Sequence, residues 1–198
     1  MARIGRQIPH FKEIDINSIK ANFSDDKRYR YTLEMHYRPS LLRQNPHEHV
    51  CVILKNPSSA DAKKADATIR KVETYVYKHF VSAAKLSILN IFAIRATDAS
   101  EVNQLLSQYG KAFIVGPEND NTIQSTIEKA DHIICAWGNN SGINASYYQS
   151  RINEMKTLIS QQNKKAHCVN GAKPTNQPLH GLMWGFGYHL TQFSTEVR

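Results

Sequence analysis

The stretch CVILKNPSSADAKKADATIRK, residues 51–71, changes character at Asn56. Residues 49–56 form a continuous apolar run, which is typical of a strand covered on both faces of a sheet. Residues 66–80 have helical spacing, and Asp66 is a suitable N-cap. An apolar strand that ends on an amide, a proline and two serines is either an ordinary turn or a strand that delivers Asn56 to a site.

The alternation of apolar runs and helical patterns continues along the chain. Strands are predicted over residues 28–38, 85–95, 131–138, 166–170 and 188–193, and helices over residues 98–110, 117–130 and 146–162. Such an alternation predicts an α/β fold with a central, mostly parallel sheet between helices, a three-layer α/β/α arrangement. The polar residues 1–27 are predicted to be an irregular N-terminal extension, and residues 28–198 a single domain.

The composition favours a cytoplasmic protein, which we expect to be a monomer. No apolar run approaches the ~20 residues of a membrane-spanning helix, and the first residues lack the apolar segment of a signal peptide. Cys51, Cys135 and Cys168 are far apart in apolar runs, which predicts buried free thiols and excludes a four-cysteine iron–sulfur cluster. The histidines show no metal-ligand spacing, so we expect neither a metal nor a cofactor.

The formal net charge is +8, which is compatible with a polyanionic partner and also with a merely soluble basic surface. The charge is unevenly distributed, because residues 156–195 contain no aspartate or glutamate. A forty-residue segment of one sign is a candidate phosphate-facing surface. Its four lysines are Lys156, Lys164, Lys165 and Lys173.

Ligand sites in parallel sheets form beyond the carboxyl ends of the strands. The loops predicted there are polar and rich in amides and glycines, which indicates a pocket of hydrogen-bonding groups. Three side chains are candidate site residues, and the position of each also has a purely structural explanation. Asn56 either binds a water or a substrate atom or is an ordinary turn residue. Asn90 either contacts a ligand or forms a structural hydrogen bond to a neighbouring loop. His180 is either a hydrogen-bond donor or proton carrier of the site or an exposed histidine without a function.

Five ordered motifs carry a resemblance to a known family. They are ILKNPSSADAKKADATIRK, LNIFAIRATDAS, VGPENDNTI, ICAWGNN and GAKPTNQPLHGL, within residues 28–185. They resemble a bacterial and phage family of unknown function with the forms LNPSTAD, NLFA-RATDP, PVG-END, AWG and G-P-HPLY. That family in turn looks like the uracil-DNA glycosylase superfamily, whose motifs correspond in order to Asn56-Pro57, Leu89-Asn90, Trp137-Gly138 and His180-Gly181.

The resemblance implies a monofunctional DNA glycosylase that flips a nucleotide out of DNA and hydrolyses its glycosidic bond. Asn56 would orient the water, and His180 would donate to the departing base. Base contacts would come from Pro57, Ser58, Ser59, Asn90 and Phe92. Further pocket residues would be Asp66, Arg95, Asp98, Asp120, Trp137 and Asn139, although Asp66, Asp98 and Asp120 are also explained as helix caps or first-turn charges. DNA contacts would come from Lys55, Lys164, Lys165, Lys173 and Gly181.

The chain departs from the superfamily at the pocket wall. Lys55 stands where an aliphatic residue is usual, and Gly181 replaces a proline. Ser58 and Ser59 stand where uracil enzymes have a bulky tyrosine, which implies a roomier pocket for a 5-substituted pyrimidine such as hydroxymethylated or glucosylated cytosine of phage DNA. An enzyme of free nucleosides or nucleotides and a non-catalytic base-binding module are the alternatives.

Overall fold

The computed structural model describes residues 7–40, 43, 45–58, 60–96, 98–170 and 177–196. Within these ranges seven strands form one sheet: β1 (Ile14–Phe23), β2 (Arg30–Tyr37), β3 (Glu48–Leu54), β4 (Ala83–Asn90), β5 (His132–Cys135), β6 (Ala166–Asn170) and β7 (His189–Phe193). The helices described are α1 (Ala67–His79), α2 (Ala99–Tyr109), α3 (Lys111–Val115), α4 (Asn119–Lys129) and α5 (Ala145–Gln161), with a 3-10 turn at Gly181–Met183.

The spatial order of the strands is β1-β2-β4-β3-β5-β6-β7. The four central strands β4, β3, β5 and β6 run parallel, so their carboxyl ends share one edge of the sheet. The outer strands β2 and β7 pair antiparallel to β4 and β6. The amino end of β2 therefore also lies at the edge where the central strands end.

Two apolar cores explain the unbroken apolar run of β3. Cys51 and Ile53 pack in one core with side chains of α4 and α5, whereas Val50 and Val52 pack in the other with side chains of α1. Successive residues of a strand point to opposite faces, so a strand that contacts both cores has no polar face. The mixed α/β fold with a parallel centre is as the sequence predicts.

The prediction for the first 27 residues is wrong where it expects an irregular extension. Residues 14–23 form β1, which pairs antiparallel with β2, and Ile14 and Ile19 are buried. The register with β2 shifts between Asp15 and Lys20. This irregularity breaks the two-residue period, so the strand escapes detection by pattern.

The cysteines and helices have simple environments. All three thiols are free and buried, as predicted. None of the described helices has the length and apolar character needed to cross a bilayer.

A buried ionisable pair holds the amino-terminal segment to α1. His10 Nδ1 lies 2.5 Å from Glu73 Oε1, and the Phe11 N–H donates to Glu73 Oε2 at 2.8 Å. Burial opposes protonation of His10, but the hydrogen bond and the charge of Glu73 outweigh it and raise the pKa of His10 above its ordinary value.

This pair predicts that stability depends on pH. Because the folded pKa of His10 is raised, the contribution is complete below the unfolded pKa of about 6.5 and is lost as pH rises through the folded pKa. We expect the Glu73→Gln variant to lose this component, so that its free energy of unfolding falls less between about pH 6 and pH 8 than that of the wild type. Urea unfolding at both pH values measures the difference, and equal falls in the two proteins would contradict the assignment.

Candidate functional site

A cavity of about 320 Å³ opens beyond the carboxyl end of β3, beside the first residues of α1 and α2. It brings together polar residues from several separate segments of the chain. Six of the residues predicted from the sequence line it: Lys55, Asn56, Ser58, Asp66, Asp98 and His180.

Asn56 is held in one orientation by the neighbouring loop. Its Nδ2 donates to the Ala96 carbonyl oxygen at 3.0 Å, while the Ala96 N–H donates to the Pro57 carbonyl oxygen at 3.1 Å. Among the described residues Oδ1 of Asn56 has no donor, so this acceptor is available to a water or a ligand. Pro57 itself is buried and contributes its backbone carbonyl to this arrangement.

The two acids of the cavity are helix caps, as their positions predict. Asp66 accepts from the Ile69 N–H at 2.8 Å and also from the Ser58 hydroxyl. Asp98 accepts from the Ser100 hydroxyl and the Glu101 N–H, and these bonds lower the pKa of Asp98. The cavity thus lies beside two helix amino termini, which favour negative charge in a ligand.

Glycines determine where the His180 loop can lie. Gly138 has a φ of +70°, and a Cβ built on it would lie 2.9 Å from the Cβ of His180. The Gly181 N–H donates to the Ala136 carbonyl oxygen at 3.2 Å, which ties the loop to the end of β5. Gly181 is buried, and a Cβ built on it would lie 3.0 Å from a side-chain atom of Leu54, so its predicted contact with DNA stays a prediction at a buried position.

His180 is a neutral imidazole with a defined tautomer. Burial and the positive charge of Lys55 lower the pKa of His180 to about 4. The Leu182 N–H donates to Nδ1 of His180 at 3.3 Å. Since Nδ1 accepts, the single proton of the neutral ring is carried by Nε2, which is therefore a hydrogen-bond donor.

Two cationic side chains line the cavity. The buried Arg30 donates from Nη1 to the Ala60 carbonyl oxygen at 2.7 Å, and its Nε has no partner among the described residues. The Lys55 ammonium lies 5.6 Å from the ring centroid of Tyr148, and burial lowers the pKa of Lys55 to about 8. Sequence reasoning missed Arg30, because no local signal places the amino end of β2 beside the end of β3.

Four residues that were predicted to contact the base or to line the pocket make contacts within the protein and do not line the cavity. Phe92 and Trp137 are fully buried in the core with α4 and α5. Arg95 donates from Nη1 to the Lys27 carbonyl oxygen at 3.1 Å, and Asp120 pairs with the buried Arg151 of α5. Each is therefore accounted for by a protein contact, and none lines the cavity.

Asn139 lies on the other side of His180. It is exposed, its Oδ1 accepts from the Ser141 hydroxyl at 2.7 Å, and it lines a neighbouring cavity of about 280 Å³ that His180 also lines. Asn139 thus borders the site without entering the main cavity.

Asn90 is buried at the end of β4, and its side-chain amide is unusual because it has no partner among the described residues. It pairs in register with Leu54, which lines the cavity, although Asn90 itself does not. Asn119 donates to the backbone oxygen of Asn90, but neither Nδ2 nor Oδ1 of the Asn90 side chain has a partner among the described residues. Unpartnered buried polar atoms reduce stability, typically by about 1–3 kcal/mol.

We expect the Asn90→Leu variant to unfold at higher urea concentration than the wild type. Leucine has the same branched skeleton and removes both unpartnered atoms, so the free energy of unfolding should rise by about 1–3 kcal/mol. Asn119→Leu is the matched control and should lower stability, because Asn119 Nδ2 has acceptors in the backbone of β4. A loss of stability in Asn90→Leu would show that the amide is satisfied within the protein.

Of the predicted DNA-binding lysines, Lys55 lines the cavity, whereas Lys164 and Lys165 do not. Lys164 donates to the backbone oxygens of Glu128 and Ala130, and Lys165 immediately precedes β6. They therefore lie at the amino end of the parallel strands, opposite the cavity. Residues 156–195 cross the sheet, so the lysines of this segment do not share one surface with the cavity. Ser59 and Lys173 lie outside the described residues.

Comparison of the chain with family models gives one match, to the family described as "Protein of unknown function (DUF1643)", over residues 30–182. Comparisons with curated proteins and with solved structures found no match. The matched region includes Arg30, Asn56 and His180 of the cavity. Because the family model covers most of its length, the chain belongs to the DUF1643 family.

Proposed function

We propose that this protein is a monofunctional DNA glycosylase with a three-layer fold like that of uracil-DNA glycosylases. It removes a flipped, modified pyrimidine from DNA, leaves an abasic site and acts in defence against phage. The observation that supports the proposal best is the pairing in one cavity of an acceptor with no donor among the described residues, Asn56 Oδ1, and a neutral donor, His180 Nε2.

Glycosidic hydrolysis needs these two groups more than it needs a strong base. As the bond between C1′ and the base breaks, its electron pair leaves with the base, and negative charge grows on the base oxygen. His180 Nε2–H donates to that oxygen, and the charge of Arg30 favours the same anion. A water held by Asn56 adds to C1′ and loses its proton to solvent.

The size and polarity of the cavity suit a base with an added group. Its volume of about 320 Å³ falls within the range of ~300–1,000 Å³ that is usual for small-molecule sites. Ser58 leaves a hydroxyl, already bonded to Asp66, where a bulky side chain would restrict the pocket. We propose a 5-substituted cytosine, hydroxymethylated or glucosylated, as the target.

The surface around the cavity offers contacts for the rest of the DNA. Leu182 and Met183 of the 3-10 turn are 45% and 65% exposed, and Leu182 lines the cavity. Apolar side chains in such positions can occupy the space left by a flipped base. Lys63 and Lys64, exposed in the loop between β3 and α1, replace Lys164 and Lys165 as candidates for phosphate contacts.

The direct experiment supplies oligonucleotides that differ at a single base. Duplexes with cytosine, uracil, 5-hydroxymethylcytosine or glucosylated 5-hydroxymethylcytosine are incubated with the protein, and abasic sites are scored by alkaline strand cleavage. We expect cleavage of the modified cytosines and none of cytosine. Release of uracil alone would contradict the proposed 5-substituted target, and no cleavage of any duplex would contradict glycosylase activity.

A second candidate is hydrolysis of free nucleotides. It is favoured by the position of Arg30, Lys55 and two helix amino termini at the cavity itself, while Lys164 and Lys165 face away. An anionic group of a small substrate could bind there. Release of free base from modified nucleoside monophosphates, with none from DNA, would favour this candidate over the first.

A further inference from the structure

Lys55 is a buried amine without an ionic partner in the described part of the chain. The residue is 6% exposed, and no described carboxylate or carbonyl oxygen bonds Nζ. The nearby acids are already engaged, Asp66 by Ser58 and Ile69, and Asp98 by the first turn of α2. Since buried lysines are normally paired, an unpaired one at a cavity suggests a chemical role.

We infer that Lys55 forms a Schiff base with the aldehyde of an abasic deoxyribose, so that the cavity can hold the product of base removal covalently. The inference rests on the proposed function, because glycosidic hydrolysis at this cavity supplies the abasic sugar. The position of Lys55 supports it: the residue directly precedes Asn56, which would hold the water at C1′, and both line the same cavity.

The step balances with the groups present. The unprotonated Nζ of Lys55 adds to C1′ of the open-chain aldehyde, and the former carbonyl oxygen takes a proton to give a carbinolamine. Loss of that hydroxyl group as water, with a proton from solvent, leaves a protonated imine between Nζ and C1′. Addition of water reverses the sequence and frees both the lysine and the sugar.

The environment of Lys55 keeps the amine reactive near neutral pH. Burial lowers the pKa of Lys55 to about 8, so roughly a tenth of the amine is unprotonated at pH 7. The Tyr148 ring centroid lies 5.6 Å from Nζ, and this cation–π contact favours the protonated amine but is outweighed by burial, which lowers the pKa.

The test is borohydride trapping on DNA that already contains an aldehydic abasic site, so glycosylase activity is not needed. We expect a covalent protein–DNA adduct with the wild type and at least a tenfold lower yield with Lys55→Arg, which keeps the charge but cannot form the imine. Lys71→Arg, on α1, is the matched control and should trap like the wild type. The trapping rate should rise with pH, with a midpoint near 8.

Two outcomes would overturn the inference. One is the absence of an adduct with the wild type, and the other is an equal yield with Lys55→Arg whose thermal unfolding matches the wild type. DNA with a tetrahydrofuran abasic analogue, which has no aldehyde, should give no adduct, and trapping on it would show that the reaction is not imine formation. Failure of the base-release assay with successful trapping would contradict the glycosylase proposal and leave the Lys55 chemistry standing.

Discussion

His180→Ala is expected to lower the rate of base release by about 10²–10³-fold, the usual effect of losing one donor to a developing oxyanion. The loss should appear in kcat, because the bond from Nε2 strengthens only as negative charge grows on the leaving base. Single-turnover release from the preferred modified duplex measures this rate. A decrease below threefold would show that His180 does not contact the leaving group.

The pH dependence of base release distinguishes a neutral His180 donor from a protonated one. With a pKa of about 4 His180 stays neutral down to pH 5, so base release should not rise as pH falls from about 8 to 5. His180→Gln is the informative companion variant, because its amide can still donate. We expect it to retain more activity than His180→Ala, and a tenfold increase in wild-type rate at low pH would instead indicate imidazolium catalysis.

The second large effect is on stability and concerns Arg151. Its side chain is fully buried in α5, where Nε donates to the Ile91 carbonyl oxygen at 2.8 Å and the guanidinium pairs with Asp120 and Glu154. Arg151→Met should lower the free energy of unfolding by about 3 kcal/mol, since it leaves three acceptors without their donor.

Asp120, one of the two carboxylates that pair with Arg151, provides the matched control. The Asp120 side chain is 47% exposed, so Asp120→Asn keeps a partner for Arg151 and should cost under about 1 kcal/mol. Urea unfolding measures both variants. An Arg151→Met loss as small as that of Asp120→Asn would show that the buried guanidinium does not hold α5 to the end of β4.

The sequence predicts the central sheet and part of the cavity because both depend on local patterns. Unbroken apolar runs identify β3 and β4, and the rule that sites lie beyond strand ends leads to Asn56 and His180. Arg30 and β1 were not predictable in this way. Arg30 comes to the cavity through the antiparallel pairing of β2, and β1 has an irregular register, so both depend on pairings between distant segments.

The same distinction explains why several predicted residues do not line the cavity. Trp137 and Phe92 belong to the motifs from which a pocket was predicted, yet their side chains are fully buried in the core. Lys164 follows the charge pattern, yet its ammonium bonds the last carbonyl oxygens of α4 and its C-cap. Motif order locates the loops, but the direction of each side chain follows from packing.

If Asn56 holds the water that attacks C1′, its amide is needed for chemistry on a flipped base and not for DNA binding. The most direct test is an Asn56→Ala variant compared with wild type and with Asn153→Ala, an amide change on α5 outside the cavity. Abasic-site formation and DNA affinity are measured on the same modified duplex. We predict at least a hundredfold loss of abasic-site formation in Asn56→Ala, with DNA affinity within threefold of wild type in all three proteins. Equal rates in Asn56→Ala and wild type would contradict the account.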